Sequence, residues 1–275
     1  MIPYMGSKRK LAPAIVQYIL MHNPKITDLY DLFGGGAAVS CETLKYKRIN
    51  VHYNEIDTAI CELLRKIMIE GVTEEFFQWI DRETFHEHKN GSDWFAGLVK
   101  TCWSFGNNPE KGYLYGADIE AQKKEWHEIC MKNGYKQAQK NRLELLKKKH
   151  GINEGKRIYL ESLQRLQRLQ SLQSLQITNL SYEKVKITGK NPVLYLDPPY
   201  QNTETYQNGI NHEDLYRWVM SSPHKIYISS YKFFDLKPVL SIKHRSTLSA
   251  TNNAKTVTEN LYCNKPENPI TLTLF

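Results

Sequence analysis

Four short apolar runs, each halted abruptly, constrain the fold more than any other feature of this sequence. Residues 27–33 (TDLYDLF) run into Gly34-Gly35-Gly36, and residues 50–53 (NVHY) end at Asn54-Glu55. Residues 193–196 (VLYL) stop at Asp197-Pro198-Pro199, and residues 225–229 (KIYIS) make the fourth run. Short apolar runs bounded by glycine, proline or asparagine read as buried strands. Helical patterns lie between them, as at 59–70 and 212–220. Strands alternating with helices predict an α/β chain built on a mostly parallel, doubly wound sheet.

The length, 275 residues, allows one large core domain and a smaller one. Hydrophobic residues at 41% and charged residues at 24% are ordinary for a globular chain. No apolar run approaches the ~18 residues of a membrane span. Lys8, Arg9 and Lys10 precede an apolar stretch in the manner of a signal peptide. Pro13, Gln17 and His22 interrupt it and no small-residue cleavage site follows, so the start reads as mature structure. Cys41, Cys61, Cys102, Cys130 and Cys263 are odd in number and lack CxxC spacing. They read as reduced cytosolic thiols rather than a zinc site or disulfide framework. His86 and His88 form the only close histidine pair, which reads as a solvated helix face; no metal is expected.

From 94 to 180 the strand–helix rhythm breaks. The stretch is aromatic first (Trp94, Trp103, Phe105, Tyr113, Tyr115), then basic, then repetitive. Between Gln122 and Arg157 eleven Lys or Arg stand against four Glu, which concentrates most of the chain's formal charge of +8. That surplus suits a polyanion, although a solvated helical face carries the same pattern. Leucine then recurs at every third position from Leu160 to Leu175, mostly followed by Gln. On an α-helix such a stripe drifts about 60° per step and circles the axis. Long 3₁₀ helices are rare and heptads are absent, so an α-helix buried on more than one side is expected. We read 94–180 as an inserted second domain, leaving 1–93 and 181–275 for the first.

Three motifs carry chemistry. Asp197-Pro198-Pro199-Tyr200 makes a rigid corner at the carboxyl edge of a sheet, where ligand sites of α/β folds gather. The prolines fix φ and donate no hydrogen bond, while their carbonyls remain acceptors. A carboxylate, a carbonyl and a flat ring together suit an aminated base turned out of a duplex. Asp31-Leu32-Phe33-Gly34-Gly35-Gly36 lets a ligand approach the backbone, but lacks the spacing of dinucleotide or P-loop binders. Glu55, about 20 residues on, ends the next strand, where an acid accepts the ribose hydroxyls of an adenosine moiety. Taken singly, each has a bland counterpart: an ordinary loop, a tight turn, a surface carboxylate.

In this order the motifs resemble the Dam-type (alpha-class) DNA N6-adenine methyltransferase family over nearly the whole chain. Pro3-Tyr4-Met5-Gly6-Ser7-Lys8 resembles the family's opening motif, with Tyr where Trp is common; the resemblance implies that Tyr4 and Lys8 touch the cofactor. It implies a methionine-binding loop in which Asp31, Phe33, Gly34 and Gly36 line S-adenosyl-L-methionine, with Asp197 beside them. Glu55 matches the ribose acid, changed from the usual Asp. Asp197, Pro198, Pro199 and Tyr200 match the catalytic tetrapeptide in full, and Thr203 and Tyr206 continue it. Residues 226–230 resemble the strand of a later motif, and 245–262, with Glu259-Asn260-Leu261-Tyr262, the C-terminal strand pair. Ser104-Phe105-Gly106-Asn107 and 111–116 resemble an aromatic, glycine-rich segment ahead of the recognition domain.

The resemblance implies a Rossmann-like methyltransferase sheet with an inserted, mainly helical target-recognition domain. It implies direct methyl transfer to the N6 amine of a flipped adenine, with no cysteine nucleophile and no metal. The Asp197 carboxylate and Pro198 carbonyl would draw the amine towards tetrahedral geometry, and Tyr200 would stack on the base. The implied partner is double-stranded DNA, with a cognate restriction endonuclease as a further candidate. The implied setting is the cytoplasm of a bacterial or phage-infected cell, and the implied state a monomer or weak dimer. Rival readings are transfer to the N4 amine of cytosine, where Ser more often replaces Asp197, and transfer to RNA or a protein glutamine. A catalytically inactive DNA-binding protein kept for its basic insert is another.

Overall fold

A computed structural model describes residues 1–138, 140–142, 144, 174–199, 210–245 and 256–273. The leucine repeat up to residue 173, together with Tyr200, Thr203 and Tyr206, lies outside the described residues. In chain order the main elements are α1 (Ala12–His22), β1 (Asp28–Asp31), α2 (Ala38–Thr43), β2 (Asn50–Asn54), α3 (Thr58–Glu70), α4 (Arg82–His88), α5 (Trp94–Cys102) and α6 (Glu120–Met131). They continue with β3 (Leu175–Thr178), β4 (Pro192–Leu196), α7 (His212–Ser221), β5 (Lys225–Ser230), β6 (Leu240–Arg245), β7 (Thr256–Cys263) and β8 (Ile270–Thr273). The chain divides into two compact units, one of Met1–Ser7 with Asp57–Gln173, the other of Lys8–Ile56 with Ser174–Phe275.

The second of these units holds the sheet. Its eight strands run in the order β3-β2-β1-β4-β5-β7-β6-β8. The strands β3, β2, β1, β4 and β5 are parallel, β7 is antiparallel to β5 and β6, and β8 pairs parallel with β6. Strands β1, β4 and β5 are buried along almost their whole length because both their faces are covered. Tyr30, Leu32, Leu194, Leu196, Ile226 and Ile228 share one core with Leu215 and Val219 of α7. Tyr227, between Ile226 and Ile228, points to the other face. There it meets the Tyr18 ring of α1 edge-on at 6.3 Å, and its hydroxyl accepts a hydrogen bond from the Asn23 amide at 2.8 Å. Helices on both faces make the sheet doubly wound. The chain winds from β1 to β2 and β3 on one side, and β4 and β5 lie on the other. The carboxyl ends of β1 and β4 therefore flank a topological switch point.

The C-terminal strand pair begins before residue 245, since β6 starts at Leu240. The helix expected to end at Leu175 gives way there to β3. Leu175 pairs with Val51 and Ile177 with Tyr53 in parallel register. Pairing with a strand so distant in sequence leaves no periodic trace in four residues, and Leu175 reads locally as one more leucine of the repeat.

In the other unit Asp57, Asp81 and Asp93 cap α3, α4 and α5, each carboxylate accepting a backbone N–H of the first turn. Gly97 of α5 lies against Ala59 of α3, where a β-carbon would come within 2.2 Å of the Ala59 carbonyl oxygen. Trp103, Tyr113 and Tyr115 are buried core; Trp79 stacks on Tyr115 and meets Trp103 edge-on. His86 is exposed on α4, and His88 meets the Phe95 ring edge-on. Among the described residues no helix is long and apolar enough to cross a membrane.

Candidate active site

The glycine loop is bolted to the end of the neighbouring strand. As the chain leaves β1, the Leu32 N–H donates to the Tyr195 carbonyl of β4 at 3.0 Å, and the Gly34 N–H to the Asn54 carbonyl of β2 at 2.8 Å. The buried Tyr53 ring fills the space where Gly34 has no side chain: a β-carbon there would sit 2.1 Å from Cε2. The Tyr53 hydroxyl then donates to the Gly35 carbonyl at 2.7 Å. Gly35 has φ of 45° and Ala37 of 58°, so the turn into α2 is left-handed at two positions. Glycine at 34 is thus required by packing, at 35 by dihedral angle.

Glu55 joins this loop directly. Its Oε2 accepts the Gly35 N–H at 2.8 Å, and the side chain is buried. The strand end that presents it is pinned by Asn54. The Asn54 amide donates to the Leu32 and Leu180 carbonyls, and its oxygen accepts from Thr178 Oγ1 and the Leu180 N–H. Asp31 is buried at the end of β1, where one carboxylate oxygen accepts both the N–H and the hydroxyl of Ser40 in α2. Burial pushes its pKa up to about 7 against those two bonds, and the charges of Asp197 and Glu55 push the same way. Phe33 is half-buried and packs on the core, its ring 5.3 Å from that of Tyr182.

Asp197 leaves β4 at the same edge of the sheet. Pro198 is buried, while Asp197 and Pro199 are half-buried. Lys8 lies 2.8 Å from Oδ1 of Asp197, and 3.6 Å from Oε1 of Glu259 on β7. Burial alone disfavours the Lys8 ammonium, but Asp197 and Glu259 outweigh it and hold its pKa above the usual lysine value. Tyr231, just past β5, has its pKa raised by burial, with Glu259 and Asp197 adding to it and Lys8 opposing. Among the described residues no group of three or more His, Cys, Asp or Glu is arranged to hold a metal.

The structure thus brings Asp31, Phe33, Gly34, Gly36, Glu55, Lys8, Asp197, Pro198 and Pro199 to the switch-point edge of one sheet. Tyr4 belongs to the other unit, where its carbonyl accepts the Ser7 N–H at 3.3 Å. Tyr200 lies outside the described residues. Sequence reasoning gave Tyr53, Asn54 and Ser40 no part in the loop, and it named Glu259 only within a strand pair. The one local sign of Glu259 is a carboxylate in a strand that otherwise closes on Leu261-Tyr262-Cys263.

No curated protein sequence matches the chain. A family model described as D12 class N6 adenine-specific DNA methyltransferase matches residues 4–229. That span takes in the opening motif from Tyr4, the glycine loop, Glu55, Asp197-Pro198-Pro199-Tyr200 and the five parallel strands β1 to β5 as far as Ser229. The chain therefore belongs to the D12 class of N6 adenine-specific DNA methyltransferases, and it is an adenine-specific DNA methyltransferase enzyme.

Proposed function

We propose that this enzyme takes its methyl group from S-adenosylmethionine and delivers it to the N6 amine of an adenine turned out of duplex DNA, at the Asp197 corner. The observation that carries this reading is the adjacency of β1 and β4. The glycine loop and Asp197-Pro198-Pro199 leave neighbouring parallel strands at one edge. A donor held by the first and an amine held by the second would be close together.

The residues of that edge fit the donor. The Gly34–Gly36 backbone and Glu55 would hold it, the acid on the ribose, since Glu55 already lies against the loop at Gly35. Glu55 and Asp197 give this edge more carboxylate charge than the Lys8 ammonium balances, which suits a cationic ligand. When bound, S-adenosylmethionine supplies an electrophilic methyl on a positively charged sulfur.

The chain's own groups prepare the acceptor. The adenine amine is a poor nucleophile because its lone pair is conjugated with the ring. The Asp197 carboxylate would accept one N6 hydrogen and the Pro198 carbonyl the other, drawing the nitrogen out of plane and localising the lone pair. Lys8, ion-paired with Asp197 at 2.8 Å, would orient the carboxylate as an acceptor. Tyr200 would hold the base by stacking, worth ~1–3 kcal/mol. We assign 94–180, apart from the sheet strand β3, to target recognition and 1–93 with 181–275 to catalysis, the basic stretch 122–157 meeting phosphates.

Transfer of tritiated methyl from S-adenosylmethionine to unmethylated duplex DNA, followed by nucleoside analysis, tests the reading. N6-methyldeoxyadenosine is expected as the product. N4-methyldeoxycytidine, or label in RNA or protein alone, overturns it.

A further inference from the structure

We infer that Glu259 is a positioning residue for methyl transfer: from β7 it clasps the Lys8 ammonium, which in turn fixes the Asp197 carboxylate in one orientation towards the adenine amine. The inference rests on the assignment of Asp197 made above.

The geometry comes from the sheet. Strand β7 runs antiparallel to β5, with Ser230 paired to Asn260 as the final rung. Glu259 is the next residue along β7, so it stands at the edge where β4 releases Asp197. Lys8 Nζ is 2.8 Å from Asp197 Oδ1 and 3.6 Å from Glu259 Oε1, and the three side chains are 8%, 19% and 5% exposed. A carboxylate this buried calls for a partner cation or strong hydrogen bonds, and the Lys8 ammonium lies within ion-pair distance of it. Lysine is a point charge on a flexible four-carbon stem. Held by one carboxylate it can swing, whereas held between two from different strands it is located. Fixing Lys8 also fixes which Asp197 oxygen takes the ion pair.

The charge set predicts a pH signature. Asp197, Glu259 and Tyr231 face Lys8, and Tyr195 and Asp31 face Asp197. In Glu259→Gln, burial still disfavours the ammonium while one of its two anions is gone. Lys8 then loses its proton at lower pH, and the alkaline limb of the kcat profile moves down.

The test uses the full chain with tritiated S-adenosylmethionine and unmethylated duplex DNA. Glu259→Gln is expected to lower kcat about tenfold, as for a small misplacement of an orienting group. The KM for either substrate should change by less than about twofold, because no binding contact is removed. In a Lys8→Met background two carboxylates are left facing each other, so adding Glu259→Gln relieves repulsion and costs no further activity. An equal loss in both backgrounds, or an unmoved kcat and alkaline limb, overturns the inference. Glu259→Asp keeps the charge and should keep the limb where the unaltered chain has it; a limb displaced as in the Gln variant also overturns it. Asp197→Ala is the control. Activity in that variant removes the assignment of Asp197, whereas an inactive Asp197→Ala beside an unaffected Glu259→Gln removes only the role of Glu259.

Discussion

The Gly35 N–H donates to Glu55 Oε2 at 2.8 Å, so the loop after β1 and the acid after β2 form one structural piece. On the proposed reading Glu55→Ala removes a ribose contact, and it also frees the loop after β1. Loss of hydrogen bonds to a charged group costs roughly 1.5–3 kcal/mol, or about 10–100-fold in affinity. Titration calorimetry with S-adenosylmethionine should show that loss, with Glu55→Gln intermediate because its amide oxygen still accepts from Gly35. Unchanged affinity in Glu55→Ala takes Glu55 out of the ribose role.

Gly34→Ala tests the packing of the same loop. The added methyl would lie 2.1 Å from Cε2 of Tyr53, a ring with no exposed surface and with its hydroxyl bonded to the Gly35 carbonyl. The ring cannot retreat without breaking that bond. Overpacking of this kind costs ~1–3 kcal/mol, which lowers the thermal midpoint by several degrees. With Tyr53→Leu the methyl has room, so calorimetric melts of the two single variants and the double variant should give a less than additive sum.

Asp197→Ala should abolish transfer while leaving duplex binding largely intact. On the proposed reading the substitution removes one of two acceptors for the amine, and it takes one carboxylate from Lys8 while Glu259 remains. By analogy with the loss of a transition-state hydrogen-bond partner, the fall in kcat is ~10²-fold or more. Methyl-transfer rates and fluorescence anisotropy with labelled duplex separate the two effects, and a rate near that of the unaltered chain refutes the assignment.

The strands of this fold were legible where burial is complete. In β1, β4 and β5 both faces are covered, so the sequence alternates little and each run stops at glycine, proline or a turn. Gly34 was legible as a glycine, but its cause was not, because the ring that excludes a β-carbon belongs to Tyr53 on another strand. The same holds for Lys8. The resemblance of its motif implies a cofactor contact, but nothing local shows that its ammonium pairs with Asp197, which approaches only when β4 is laid beside β1. Glu259 was legible only as part of a strand pair, and β3 only as the end of the leucine repeat; long-range pairing gives each its place.

Eleven Lys or Arg against four Glu between Gln122 and Arg157 predict a steep response of DNA binding to salt. If about half of these cations meet phosphates, log K should fall against log salt with a slope of about −5. Anisotropy titrations between low and moderate salt measure it. A flat response removes this stretch from the DNA contact.

Asp31 makes stability depend on pH. Its pKa is pushed up to about 7, by burial first and then by Asp197 and Glu55, against an ordinary carboxylate value near 4. Between those values the folded chain holds a proton that the unfolded chain has released. The stabilisation is therefore fully present below about pH 4 and is lost as pH rises through about 7. Asp31→Asn keeps an oxygen that can accept from Ser40 N–H and Oγ–H but cannot ionise. At pH 8 this variant should gain ~1 kcal/mol or more over the unaltered chain, a few degrees in thermal midpoint, with little gain at pH 5. Melting curves of both chains across that range decide it: parallel pH profiles would show that Asp31 does not titrate there.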